Sequence, residues 1–240
     1  MKRPVLIKIT CLVLLSLSLI ACTGDFGLEQ NPDREQAVPP TEDQIEISSQ
    51  GEPVIDGVID EGEWQGATIY HAEDGSELHL LFSGDHLYLA IRAVKGKMIS
   101  GNVFLENDGQ VSVLHTSAAL GSALYEADGA HYKKIKDFDW CCRSRIDNEG
   151  SRNAREKFYL EEAWLGINSF LGNENELEYK ISLQDDPEAL AVNFIYVDGE
   201  GDKLVWPEGL EDGVVQPTVG GFPDTLDFSV ENWISLGDLK

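Results

Sequence analysis

Ser76-Glu77-Leu78-His79-Leu80-Leu81-Phe82-Ser83-Gly84-Asp85-His86-Leu87-Tyr88-Leu89-Ala90-Ile91-Arg92-Ala93 alternates with a period of two on both sides of a Gly-Asp pair. Side chains of a β-strand point to opposite faces in turn, so Leu78, Leu80 and Phe82 fall on one face, as do Leu87, Leu89 and Ile91. Gly84-Asp85 is a turn signal, and the whole stretch predicts a hairpin with one apolar side.

The same pattern recurs downstream. Asn102 to Glu106 and Val111 to His115 flank Asn107-Asp108-Gly109, a second hairpin. Glu176 to Leu183 alternates Leu177, Tyr179, Ile181 and Leu183. Ala191 to Val197 runs into the turn Asp198-Gly199-Glu200-Gly201-Asp202, Lys203 to Trp206 returns, and a last strand falls near Asn232 to Leu236. One helix is expected from Asn153 to Leu165, capped by Ser151 and ended by Gly166. The chain shows no fixed-period repeat. Many strands, Gly-rich turns and one helix predict a mainly β fold, an antiparallel, jelly-roll-like β-sandwich with one inserted helix, over residues 44–240.

The N-terminus reads differently. Lys2, Arg3 and Lys8 precede an apolar run from Ile9 to Ile20, too short for a permanent transmembrane helix. The run ends in Leu19-Ile20-Ala21-Cys22, which resembles the bacterial lipobox. The resemblance implies cleavage after residue 21 and lipid on Cys22, with acyl chains adding about 0.8 kcal/mol of membrane affinity per buried CH₂. Thr23 stands where an Asp would signal inner-membrane retention, so an anchor in the outer membrane is implied, on its periplasmic or surface face. Residues 22–43 are polar and proline-bearing, as expected of a flexible tether.

Loss of residues 1–21 removes three of 18 basic groups and none of 43 acidic ones, leaving 15 against 43, a net −28. Such charge repels phosphate backbones and disfavours nucleic-acid binding. Of four cysteines, Cys11 leaves with the signal and Cys22 takes the lipid, so only the adjacent Cys141 and Cys142 remain. A vicinal disulfide, two buried thiols and a bond to another chain are all open, and no nearby Cys or His completes a metal set.

Val54-Ile55-Asp56-Gly57-Val58-Ile59-Asp60-Glu61-Gly62-Glu63-Trp64 looks like the opening of the family-9 carbohydrate-binding-module-like domains, within the broader DOMON-like β-sandwich group. Leu87-Tyr88-Leu89-Ala90-Ile91 and Glu178-Tyr179-Lys180-Ile181-Ser182-Leu183 resemble two later strands of that family. The resemblance implies a β-sandwich and a non-catalytic binding domain for carbohydrate or another extracellular ligand. On the residues alone, Asp56-Gly57 suits a tight turn, Asp60 and Glu63 a capping box, and Trp64 the core.

Sugar recognition needs flat aromatic faces beside a few polar groups. Asp137-Phe138-Asp139-Trp140, followed by Arg143 and Arg145, offers both, and Tyr125 and Trp206 are further candidates. Some DOMON-like domains bind b-type haem through Met and His. Here Met98 and His71, His79, His86, His115 and His131 would be the available ligands. His115, ending a strand near Ser117, reads as structural, with a ligand or a catalytic base as the alternatives, and no G-x-S-x-G motif accompanies it. Structural Ca²⁺ at the Asp-Gly turns is a further expectation, although neither 198–202 nor Asp147-Asn148-Glu149-Gly150 has the EF-hand register. No carboxylate pair stands out as catalytic.

Overall fold

The computed structural model describes residues 51–94, 98–142, 149–168, 175–184, 186–197, 203–215 and 221–239. Its strands run β1 Thr68–His71, β2 Glu77–Ser83, β3 His86–Arg92, β4 Ile99–Asn107, β5 Gln110–Thr116, β6 Leu120–Asp128 and β7 His131–Lys136. Helix α1, Glu149–Glu162, precedes β8 Trp164–Asn168, β9 Glu176–Ser182, β10 Ala189–Tyr196, β11 Lys203–Trp206, β12 Thr225–Leu226 and β13 Ile234–Ser235. One sheet has the order β1-β2-β3-β9-β8 and the other β11-β10-β4-β5-β6-β7-β12, with β13 also pairing β10. All pairings are antiparallel. The fold is a β-sandwich with one inserted helix.

The core forms where the alternating faces meet. Leu78, Leu80, Leu87, Leu89, Ile91, Leu177, Tyr179 and Ile181 of the first sheet pack with Val103, Leu105, Leu114, Leu120, Leu190, Val192 and Phe194 of the second. The second sheet is apolar on its outer face too. There Phe104, Val111, Val113, Ala123, Tyr125 and Ala191 are covered by Val214, Phe222, Leu226, Phe228 and Trp233 of the C-terminal segment. Burial on both faces explains why β4 is buried along nearly its whole length.

The first sheet is covered on its outer face by the segment that opens the described chain. Ile59 and Trp64 pack on Tyr88 and Ala90, as the core reading of Trp64 requires. Gly57 adopts φ +86°, the left-handed turn expected there. Two carboxylates of β9 hold this strap. Glu178, wholly buried, accepts the backbone N–H groups of Asp56 at 3.0 Å and Gly57 at 2.7 Å, and the Trp64 indole N–H at 3.0 Å. Glu176 accepts the Ile59 N–H at 3.1 Å and pairs with Arg92 at 3.0 Å. Burial pushes the Glu178 carboxyl up to about 7, against the pull of its three donors. Only half of the expected capping box forms. The Asp60 side chain accepts the Gly62 N–H, while Glu63 accepts from Val54 rather than returning to Asp60.

The helix differs from expectation at both ends. It begins at Glu149, so Ser151 lies inside its first turn, and it stops at Glu162. Ala163 takes φ +59°, and Trp164 and Leu165 enter β8 against β9 instead of prolonging the helix. Gly166 therefore sits within a strand. A Cβ there would lie 1.9 Å from Thr116 Oγ1, so the residue serves close packing between the sheets.

Candidate ligand-binding site

Strands β6 and β7 build the site. Cys141 continues past the end of β7 to exchange two backbone hydrogen bonds with Leu120, at 3.0 and 2.8 Å. This holds residues 137–140 beside the first residues of β6. The floor is Gly121, where a Cβ would fall 2.9 Å from Trp140 Cε3 and 3.0 Å from Phe138 Cδ1. The two rings rest on bare backbone, which only glycine permits at that distance. Phe138 and Trp140 stack with centroids 4.9 Å apart and planes at 17°. Phe138 also leans on Phe222 at 5.6 Å, which joins the pair to the outer core.

Charged groups fix this corner. Lys134 donates to the Phe222 carbonyl at 2.9 Å and pairs with Asp137 at 3.2 Å and Asp224 at 3.3 Å. The Phe138 N–H and then Lys134 hold the Asp137 carboxyl below its ordinary range. Ser122 donates to Glu162 at 2.8 Å, and Lys136 pairs with Glu162 at 3.0 Å, tying β6 and β7 to α1. The sulfurs of Cys141 and Cys142 are bonded to each other. They pack against the inner core, and Cys142 Sγ lies 3.4 Å from the Ala154 carbonyl oxygen of α1.

Behind the rings runs a buried polar row. Asn193 of β10, Asn102 of β4, His115 of β5 and Gly121 of β6 are direct cross-strand neighbours. His115 Nδ1 lies 2.8 Å from Asn102 Oδ1, Asn102 Nδ2 donates to Asn193 Oδ1 at 2.6 Å, and Asn193 Nδ2 donates to the Val214 carbonyl. His115 meets Trp140 edge to face, with centroids 5.2 Å apart and planes at 86°. Burial pushes its imidazole down to about 4, so it is neutral at physiological pH.

The expected site residues divide. Trp140 is 36 % exposed and forms the platform. Tyr125 and Trp206 belong to the two hydrophobic clusters instead. Tyr125 is wholly buried, with its hydroxyl donating to the Pro223 carbonyl at 2.7 Å. Trp206 is 3 % exposed and packs on Phe194. Neither ring has a free face. Arg143, Arg145 and Cys22 lie outside the described residues, as do the turn 198–202 and residues 147–148. Phe138 stood in the quoted stretch, but its role as a stacking partner had no signal of its own. Gly121, Asn102 and Asn193 were missed, since only strand register aligns them with His115.

The haem candidates are spread over both sheets. His71 pairs with Glu77 at 3.6 Å, and His79 lies 3.1 Å from the same carboxylate and edges Trp64. His86 bonds the Tyr159 hydroxyl at 2.7 Å, and His131 pairs with Asp227. Met98 stands four residues before Asn102, the partner of His115, or about 13 Å along the strand direction. An open cleft of about 600 Å³ is lined by Glu208, Glu211, Asp212 and Asp227 among others. Asp212 is already occupied by the N–H groups of Val214, Ser229 and Trp233. Among the described residues no group of three or more His, Cys, Asp or Glu is placed to hold a metal ion, and no helix is long and apolar enough to cross a membrane.

Comparison with known proteins gives no match: no family model, no curated protein and no solved structure is significantly similar to the chain.

Proposed function

We propose that this chain is a non-catalytic binding module that takes a glycan on the Phe138–Trp140 face. One observation carries the reading. The chain has five tryptophans. Trp64, Trp164, Trp206 and Trp233 are between 2 and 6 % exposed, whereas Trp140 is 36 % exposed. An exposed indole is ordinarily costly, and this one is stacked, floored by glycine and braced by a network of ion pairs. Such a rigid face can cover the C–H side of a pyranose with little ordering cost. The likeness of residues 54–64 to the family-9 modules supports the same class. Lipid on Cys22 would hold the module at the cell envelope, with the −28 mature chain projecting from the membrane.

A glycan array probed with wild type and Trp140→Ala tests the proposal. Wild type is expected to bind one class of polysaccharide, and the variant to lose that binding while keeping its thermal midpoint. Equal binding by both proteins, or none by wild type, would overturn it. Mass analysis of the envelope fraction tests the anchor separately: a diacylglyceryl group on Cys22 is expected, and a free thiol there would refute it.

A further inference from the structure

Three polar side chains in one buried row call for a cause, because apolar residues would fill the same space without their desolvation cost. Their hydrogen bonds all run one way. The Val214 carbonyl only accepts, so Asn193 presents Nδ2 to it and Oδ1 to Asn102. Asn102 then presents Nδ2 to Asn193 and Oδ1 to His115. An amide oxygen can only accept, so His115 must place its proton on Nδ1. The row therefore fixes one tautomer, with a lone pair on Nε2.

That lone pair has no hydrogen-bond partner among the described residues, although His115 is 5 % exposed. It belongs to a ring that touches both Trp140 and Phe138. We infer that His115 Nε2 is the polar contact of the Phe138–Trp140 site, accepting a hydrogen bond from a hydroxyl of a neutral glycan. The inference rests on the proposed function and narrows its ligand class. A fixed acceptor rewards a donor and repels a carboxylate or sulfate oxygen, and the acidic chain adds to that repulsion. Uronic-acid and sulfated glycans are thus selected against, and neutral ones selected for.

Two substitutions at His115 separate binding from folding. The amide nitrogen of Asn overlays Nδ1, so His115→Asn keeps the bond to Asn102 and removes the acceptor. The amide oxygen of Gln overlays Nε2, so His115→Gln keeps the acceptor and weakens the row. Each is compared with wild type and Trp140→Ala on immobilised neutral hexasaccharides (gluco-, xylo- and manno-configured) and on oligogalacturonate, with the thermal midpoint recorded alongside. The expected result is neutral-glycan binding by wild type, a loss of about tenfold in His115→Asn, and a smaller loss in His115→Gln despite its lower midpoint. If Trp140→Ala loses binding while His115→Asn binds as wild type does, the His115 inference falls and the platform stands. Preference for oligogalacturonate overturns the ligand class alone. No wild-type binding to either class overturns both readings.

Discussion

The indole N–H of Trp64 donates to the carboxylate of Glu178 across 3.0 Å, joining residues 114 positions apart. The same carboxylate takes the N–H groups of Asp56 and Gly57, so one side chain of β9 gathers three donors of the strap, and Glu176 takes a fourth from Ile59. Glu178→Gln replaces one oxygen by a donor that faces another donor. It is expected to cost about 1–3 kcal/mol in chemical denaturation. Trp64→Phe should cost less on the Glu178→Gln background than on wild type, because the shared bond is already lost. Additive losses in that cycle would show that the bond contributes nothing.

The acid response should reflect two groups that oppose each other. Glu178 is raised in the folded chain from 4.5 to about 7, so the folded state holds the extra proton between those values. Its contribution therefore grows as pH falls through 7 and fades as pH rises. His115 is lowered from 6.5 to about 4, so the unfolded state takes the proton first. Its contribution is lost as pH falls from 6.5 towards 4. Thermal midpoints measured from pH 4 to pH 8 should show His115→Asn gaining on wild type below pH 6.5. Glu178→Gln should lose the decline that wild type shows towards pH 8. Parallel pH profiles for all three proteins would contradict both assignments.

Gly121 carries the platform without contributing a side chain. Gly121→Ala would place a methyl against Trp140 and Phe138 at about 3 Å, and the rings must lift. Weaker glycan binding with a modest loss of stability is expected, together with increased acrylamide quenching of tryptophan fluorescence. Unchanged quenching would show that the rings do not rest on this residue.

Tyr125→Phe removes a buried donor to the Pro223 carbonyl and should cost about 0.5–1.5 kcal/mol of stability. Glycan binding should be untouched, because the ring lies inside the outer core. A binding loss at an unchanged midpoint would return Tyr125 to the site.

These cases show which parts of the molecule were legible in sequence. The hairpin of β2 and β3 could be read because its alternation and Gly-Asp turn are local. Strands β6 and β7 were missed: Gly121, Ser122 and Ala123 carry little β preference, and His131–Lys136 is a polar strand paired on its far side by only two residues of β12. The helix end was misplaced because Trp164 and Leu165 suit a helix as well as a strand, and pairing with β9 decides between them. Tyr125 and Trp206 looked available because their cover is remote or buried in register. Tyr125 is sealed by a segment 98 residues away. The exposure of Trp140 agrees with its short-range setting, in which aspartates precede it and arginines follow it. Its supports, Gly121 and His115, became visible only with strand register.

Of the five indoles, Trp140 is the one proposed to contact the ligand. The five indole N–H groups can be followed individually by ¹⁵N–¹H correlation spectra during titration with a neutral hexasaccharide that binds on the array. The Trp140 resonance is expected to shift, saturating with the affinity measured independently, while those of Trp64, Trp164, Trp206 and Trp233 stay in place. A bound glycan that leaves the Trp140 resonance unmoved would contradict the proposal.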